Sequence, residues 1–387
     1  MNEEKLLSAL SAVEQKTILE ADPAAPARRT AGKRVALLAA CAAAVLLAVV
    51  ALWPDQTKLP SVVVPSDPQQ LMELPLGGAG YGGYGFEAYL LYDFSELLIA
   101  DLWPGDEEGA TLPVYRNTLE YDGYRPREID VRAMKDRARE LAKAMGLRWP
   151  WGIRTDRQKD GEGKKYVSSV YLEKKGIRVE VSWDMSALVS FGESSPYFVA
   201  HDAPLEQWQA AAEELEKTIG PSLGMEEPCA LVLGGDYSIH GRQGGRQFYH
   251  AYLYDAAGDA QERLINLNFF DLCVYSEGFL VHSYDLSEKV GDYPVITRKE
   301  AEELLARGNY ITGCGYDMPG MEYVAGSELV YRTGLTEAYY LPYYRFYVEL
   351  PQQGRPDGMK TFAAYYVPAV AAEYIADMPL WEGTNNG

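Results

Sequence analysis

At 387 residues, 47% of them hydrophobic and 12% aromatic, the chain carries ample apolar material for a folded core, which excludes a largely disordered polypeptide. Its 36 Lys and Arg against 56 Asp and Glu leave a net charge of −20, a balance that repels nucleic acid and anionic lipid head groups. Only 4 cysteines are present, too few and too scattered for a disulfide-stapled scaffold or a zinc site.

Residues 3–20 (EEKLLSALSAVEQKTILE) place Leu6, Leu10 and Val13 on one stripe, the spacing of a short amphipathic helix. A helix of that length is marginal alone in water, so it rests on the membrane or on a partner or is frayed, and this stripe is the candidate face for a cytoplasmic partner. The cations Arg28, Arg29, Lys33 and Arg34 follow, and from Val35 to Trp53 the chain runs nineteen residues without a charge. At 1.5 Å per residue that run covers roughly the 30 Å thickness of bilayer hydrocarbon, and the cationic flank of a span stays in the cytoplasm. The reading is a single-pass protein of the cell membrane, residues 1–34 inside and the rest extracytoplasmic. A cleaved signal peptide fits less well, because 34 residues precede the run and Leu52, Trp53 and Pro54 close it. Leu38, Ala39, Ala40 and Cys41 resemble a lipoprotein box, but the cysteine comes too early in the run.

Residues 54–85 are rich first in proline and then in glycine, as in a stalk. Gly78, Gly80 and Gly83 spell G-x-G-x-x-G, yet a dinucleotide fingerprint needs a strand before it and a helix after it, and here a stalk precedes and a β-like segment follows. A helix-then-strands unit then recurs three times, over 86–200, 201–290 and 291–375, before a tail at 376–387. The first helix spans Ile129 to Met145 and stops at Gly146. The second runs from Pro204 to about Ile219 and stops at Gly220. The third follows Thr297, whose Glu300 partner makes a capping box, and stops at Gly308. Period-two strands follow each helix, including ERLINLNFFDLCVYSE in the second unit. Helices that each precede a set of hairpin-joined strands predict an α+β fold of antiparallel sheets with a helix on one face.

Candidate chemistry is sparse. The 4 histidines, His201, His240, His250 and His282, show no close ligand spacing, although His240 and His250 could face one another across a hairpin. Ser194, Ser195 and Ser238 lack the surroundings of a nucleophile, and Asp106, Glu107 and Glu108 read as a solvated loop. No catalytic residue, cofactor or metal is expected. Cys229, Cys273 and Cys314 are an odd count that forbids full pairing; one disulfide can form among them, and three free or buried thiols are expected. Of the 29 tyrosines, Tyr339, Tyr343 and Tyr347 alternate onto the side of their strand opposite Tyr340, Tyr344 and Phe346, so they are the candidate ligand face if only one side is core.

Thr297-Arg298-Lys299-Glu300-Ala301, then Glu328-Leu329-Val330-Tyr331, Leu341-Pro342-Tyr343-Tyr344-Arg345-Phe346-Tyr347 and Tyr366-Val367-Pro368-Ala369, resemble the C-terminal unit of PepSY-type and YycH/YycI-like membrane-tethered regulatory proteins of Gram-positive bacteria. The N-terminal segment LLSALSAVEQKTILEAD, with the basic cluster and the Ala-Ala-Cys run, is similar to anti-sigma-factor-like membrane proteins of clostridia. The resemblance implies a PepSY/cystatin-like fold and regulation of an envelope protease, a sensor kinase or a sigma factor. It brings no catalytic residues. One departure is that residues 1–34 lack the His/Cys cluster of zinc anti-sigma domains and are too short to wrap a sigma factor. The expected function is therefore a non-enzymatic sensory or regulatory ectodomain for a protein or peptide partner, relaying to a cytoplasmic sigma factor or kinase through residues 1–34. A cell-wall or glycan-binding module is the alternative, and an envelope hydrolase is a third reading.

Overall fold

The structure is a computed structural model that describes residues 59–64, 87–105, 108–119, 129–147, 152–193, 195, 197–200, 203–237, 246–275, 278–314, 316–334 and 337–381. The stripe of Leu6, Leu10 and Val13, the cluster Arg28, Arg29, Lys33 and Arg34, and the run from Val35 to Trp53 lie outside the described residues. Among the described residues no helix is long and apolar enough to cross a membrane.

Strands β1 (Ala88–Leu91) and β2 (Thr111–Arg116) come first. Helix α1 (Val131–Ala144) precedes the strands β3 (Arg154–Lys159), β4 (Lys165–Lys174), β5 (Ile177–Ser182) and β6 (Ala187–Ser190). Helix α2 (Leu205–Ser222) precedes β7 (Pro228–Asp236), β8 (Phe248–Asp255), helix α3 (Ala260–Phe269), β9 (Leu272–Tyr275) and β10 (Gly278–Val281). Strand β11 (Lys289–Pro294), helix α4 (Arg298–Ala306), β12 (Val324–Tyr331), β13 (Tyr339–Tyr340), β14 (Pro342–Glu349) and β15 (Lys360–Pro368) complete an α+β architecture.

One eight-stranded antiparallel sheet has the order β3-β4-β5-β6-β10-β9-β8-β7. Each half is a helix followed by four strands, with α3 inserted between β8 and β9 in the second, and the halves meet through their fourth strands, with Leu188 opposite Leu280 and Val189 opposite Phe279. The order is thus the same from either edge inward. Both helices pack on one face, where Met134, Ala138 and Leu141 of α1 and Trp208, Ala212 and Leu215 of α2 share a core with Val170, Val179, Ala251 and Val274. Fully burying one such aliphatic side chain contributes about 1.5–3 kcal/mol.

A second sheet has the order β1-β15-β14-β12, and a third the order β11-β2-β13. These pairings cut across the sequence segments. Segments 86–200 and 201–290 share one sheet, while β1 and β2, assigned by sequence to the first segment, pair with β15 and with β11 and β13. Ala88 opposite Ala363 is a contact that no local pattern encodes. The first and last described residues are also drawn in. Val62 and Val64, read as stalk, are buried, and Val62 N–H donates to the Tyr374 carbonyl at 2.8 Å. Trp381, read as tail, stacks on Tyr310 with ring centroids 5.9 Å apart.

Helix boundaries follow their caps. Asp130 accepts from Arg132 and Ala133 N–H at the start of α1, and Gly146 at φ +66° stops it. Thr297 and Glu300 form the expected box on α4, an N-cap whose removal costs about 1 kcal/mol. Helix α2 runs past Gly220, the expected stop, to Ser222. A Cβ at Gly220 would stand 2.5 Å from the Pro228 Cβ, so this glycine serves close packing rather than termination. Helix α3 corrects the reading of ERLINLNFFDLCVYSE as one strand: Asp259 and Glu262 cap one another reciprocally, and strand begins only at Leu272.

Candidate functional site

The charged residues of the second sheet stand where its strands should be apolar. Both faces of β14 are packed: Tyr344, Phe346 and Val348 join one core with Leu305 of α4, and Tyr343 joins another with Val62, Val114 and Tyr293. Arg345 therefore sits inside, between two carboxyl groups. Cross-strand register puts it opposite Glu328 of β12 and Tyr366 of β15. Its Nε donates to Glu328 Oε1 at 3.0 Å and its Nη1 to Glu87 Oε1 at 3.2 Å. Tyr347 donates to Glu328, Tyr89 donates to Glu87 Oε1 at 2.6 Å, and Tyr366 donates to Glu87 Oε2. Ala100 N–H completes the shell of Glu328 at 3.1 Å.

Burial alone would depress the Arg345 guanidinium, but Glu328 beside it, with Tyr347, Tyr89 and Tyr366, holds it well above its ordinary value. A second buried pair, Arg332 Nε to Glu337 Oε1 at 2.8 Å, lies next to it, with the Arg332 guanidinium 5.0 Å from the Tyr366 ring centre. Three carboxyl groups thus face two guanidinium groups in the interior of one sheet.

A narrow cleft leads from this network to the eight-stranded sheet. Its lining includes Glu328 and Arg345 of the network together with Asp271, His282, Tyr284 and Thr333. It offers about 60 Å³ to the centres of water-sized molecules, room for a few waters at roughly 10–15 Å³ each. The hairpin of β9 and β10 sets Leu272 opposite Val281, so the residues just beyond, Asp271 and His282, meet. His282 Nδ1 lies 2.7 Å from Asp271 Oδ1, and His282 N–H donates to the Asp271 carbonyl at 2.9 Å. Burial would lower the imidazole pKa, yet the Asp271 carboxylate outweighs it and raises it. Burial pushes the Tyr284 hydroxyl up to about 12. Asn268 at the end of α3 accepts from Tyr331 N–H at 2.9 Å and ties the cleft walls together.

The sequence-based candidates fall elsewhere. Tyr343 and Tyr347 are buried, Tyr347 as a donor within the charged network, and Tyr339 is half-buried with the Arg116 guanidinium 5.2 Å from its ring centre. They form no common ligand face, because both sides of β14 are core. His250 packs near Trp208, ring centres 6.4 Å apart, and His201, His240, Ser194, Ser238, Asp106 and Glu107 lie outside the described residues. Cys229, Cys273 and Cys314 are free thiols. Burial and the nearby Asp271 push the Cys273 thiol up to about 12, which opposes a thiolate. Among the described residues no group of three or more His, Cys, Asp or Glu could hold a metal.

Sequence reasoning gave no site role to Glu87, Asp271, Glu328 or Arg345, and weighed His282 only for ligand spacing. The available signal was a lone charge inside an otherwise apolar strand: Glu328 in SELVY and Arg345 in YYRFY. Comparison with family models, with curated proteins and with solved structures returns no match.

Proposed function

We propose that the chain is a non-enzymatic single-pass membrane protein whose folded region is an extracytoplasmic sensory or regulatory module of PepSY/cystatin-like helix-and-meander units, binding a protein or peptide partner. The observation that carries this reading is an asymmetry within the eight-stranded sheet. On the face away from the helices, β8 buries Tyr252 and Tyr254, while their partners Leu231 and Cys229 on β7 are half-buried. In the matching half, Tyr171, Arg178, Glu180, Ser182, Leu188 and Ser190 on β4, β5 and β6 remain half-exposed. The two halves of like topology thus differ at β8, where the chain itself covers two large aromatic side chains, whereas Tyr171 and Leu188 at the matching outward positions of β4 and β6 stay half-exposed.

The uncharged run Val35–Trp53 with its basic flank supports the membrane topology, and the stripe of Leu6, Leu10 and Val13 supports a relay to a cytoplasmic sigma factor or kinase. Crosslinking the full-length protein in its native membrane, with mass spectrometry separating crosslinks on residues 1–34 from those on the ectodomain, is the test. The reading expects a discrete protein or peptide on the ectodomain and loss of any inner partner when Leu6, Leu10 and Val13 become Asp. Capture of wall polymer alone would replace it with an anchored glycan-binding module.

A further inference from the structure

Among the described residues, a strongly basic stretch of this acidic chain coincides with a free sheet edge. Residues 152–178 hold eight Lys and Arg against four Asp and Glu, in a protein whose totals are 36 against 56. Strand β3 lies at the end of the eight-stranded sheet and, among the described residues, pairs only with β4. All of its residues but Thr155 are exposed. Its outer row of backbone N–H and C=O groups is therefore available to an added strand.

Register concentrates the charge on that edge. Lys159 stands directly opposite Lys165, and Arg157 opposite Val167 on the same side of the hairpin. Directly opposed like charges destabilise a strand pair. Among the described residues none of these three cations forms an ion pair; Arg157 has only the Thr155 hydroxyl, at 3.3 Å. By contrast Arg178, on β5 one strand further in, is satisfied by Glu180 at 2.7 Å and Asp156 at 3.5 Å. At the other end of the edge, Arg154 joins Lys174 and Lys175 around a shallow concavity.

From this placement we infer that β3 is the docking edge for an acidic, extended peptide segment of a partner, which adds a strand to the sheet and lays carboxylates against Arg157, Lys159 and Lys165. The inference rests on the partner-binding reading above and names its surface and the partner's chemistry.

The test uses full-length protein in detergent micelles and a labelled ten-residue peptide alternating Glu with Val, followed by fluorescence anisotropy. Binding is expected, with about a tenfold loss for the Lys159→Glu, Lys165→Glu double variant, whose exposed positions leave the thermal melt unchanged. A peptide methylated on alternate backbone nitrogens loses binding, because strand pairing needs those N–H groups. Absence of binding, equal binding to the charge-reversed protein, or equal binding of the methylated peptide would each overturn the proposal. A partner captured in the native membrane with every ectodomain crosslink away from residues 154–165 sinks the β3 edge and leaves the sensory reading standing. Capture of no partner at all sinks that reading too.

Discussion

Arg345 is the residue on which the interior of the second sheet is balanced. Removing one partner of a buried ion pair leaves an uncompensated charge, at a cost of about 3–5 kcal/mol. Arg345→Met should therefore destabilise by that order in urea unfolding, and adding Glu328→Gln should recover part of the loss, since fewer carboxyl groups then lack a partner. Equal loss in the single and double variants would assign the cost to packing instead. His282 answers to pH. Its folded pKa is raised by Asp271 above the ordinary value of about 6.5, so the pair's stabilisation is fully present below about pH 6.5 and is lost as pH rises through the folded value. The urea midpoint is expected to fall across that window and to lose this component in His282→Gln. The lone charge in YYRFY was the one sign of Arg345 in the sequence, and alternation pointed away from it. Arg345 shares its strand with Tyr343 and Tyr347, and alternation alone assigns all three to a wetter face. What defeats that assignment is the core of Val62, Val114 and Tyr293 packed on that side, drawn from segments far away in sequence.

Among the elements, the bulge of Gly234, Gly235 and Asp236 at the end of β7 carries the join between the large sheet and the segment after β1. Leu98 and Gly234 exchange backbone hydrogen bonds at 2.8 and 3.0 Å. Both glycines have positive φ, +100° and +110°, and a Cβ on Gly235 would press against the Glu96 carbonyl oxygen. Gly235→Ala should cost about 2 kcal/mol or more by urea unfolding, because neither the backbone conformation nor the gap suits a side chain. Beside it, burial pushes the Asp236 carboxyl up to about 6 from 3.8. A carboxyl with a raised folded pKa favours the fold below about pH 4 and ceases to do so as pH rises through about 6. Asp236→Asn is accordingly expected to raise stability at pH 7 and to flatten its slope between those limits. The paired glycines inside CALVLGGDY were the legible sign of this bulge. The capping box at Thr297 announced α4 plainly. The equivalent box at Asp259 and Glu262 went unread because LINLNFF alternates well enough to pass for a strand.

For the molecule as a whole, the recurrence of helix then strands was legible because caps, stop glycines and period-two runs are all local signals. Which strands pair was not, since antiparallel partners such as β1 and β15 are joined by no turn and stand some 270 positions apart. That difference has a consequence for how the molecule comes apart. The segment 291–375 reads in sequence as a self-sufficient unit, yet its sheet lacks an edge strand without β1, and Arg345 lacks one of its carboxyl partners without Glu87. It also leaves Leu329, Tyr331 and Tyr340 without Phe269 of α3, which packs among them with ring centres 4.9 Å from Tyr331 and 5.6 Å from Tyr340. Residues 291–381 expressed alone are therefore expected to give no cooperative melt and little near-ultraviolet dichroism from their many tyrosines. Residues 59–381 should give both, in one transition, because the Leu98–Gly234 bridge, Asn268 on Tyr331 and the His282 cleft tie the sheets to one another. A cooperative melt of 291–381 would mean that the third helix-and-meander unit stabilises itself, and that β1 and β2 dock onto it only after it has folded.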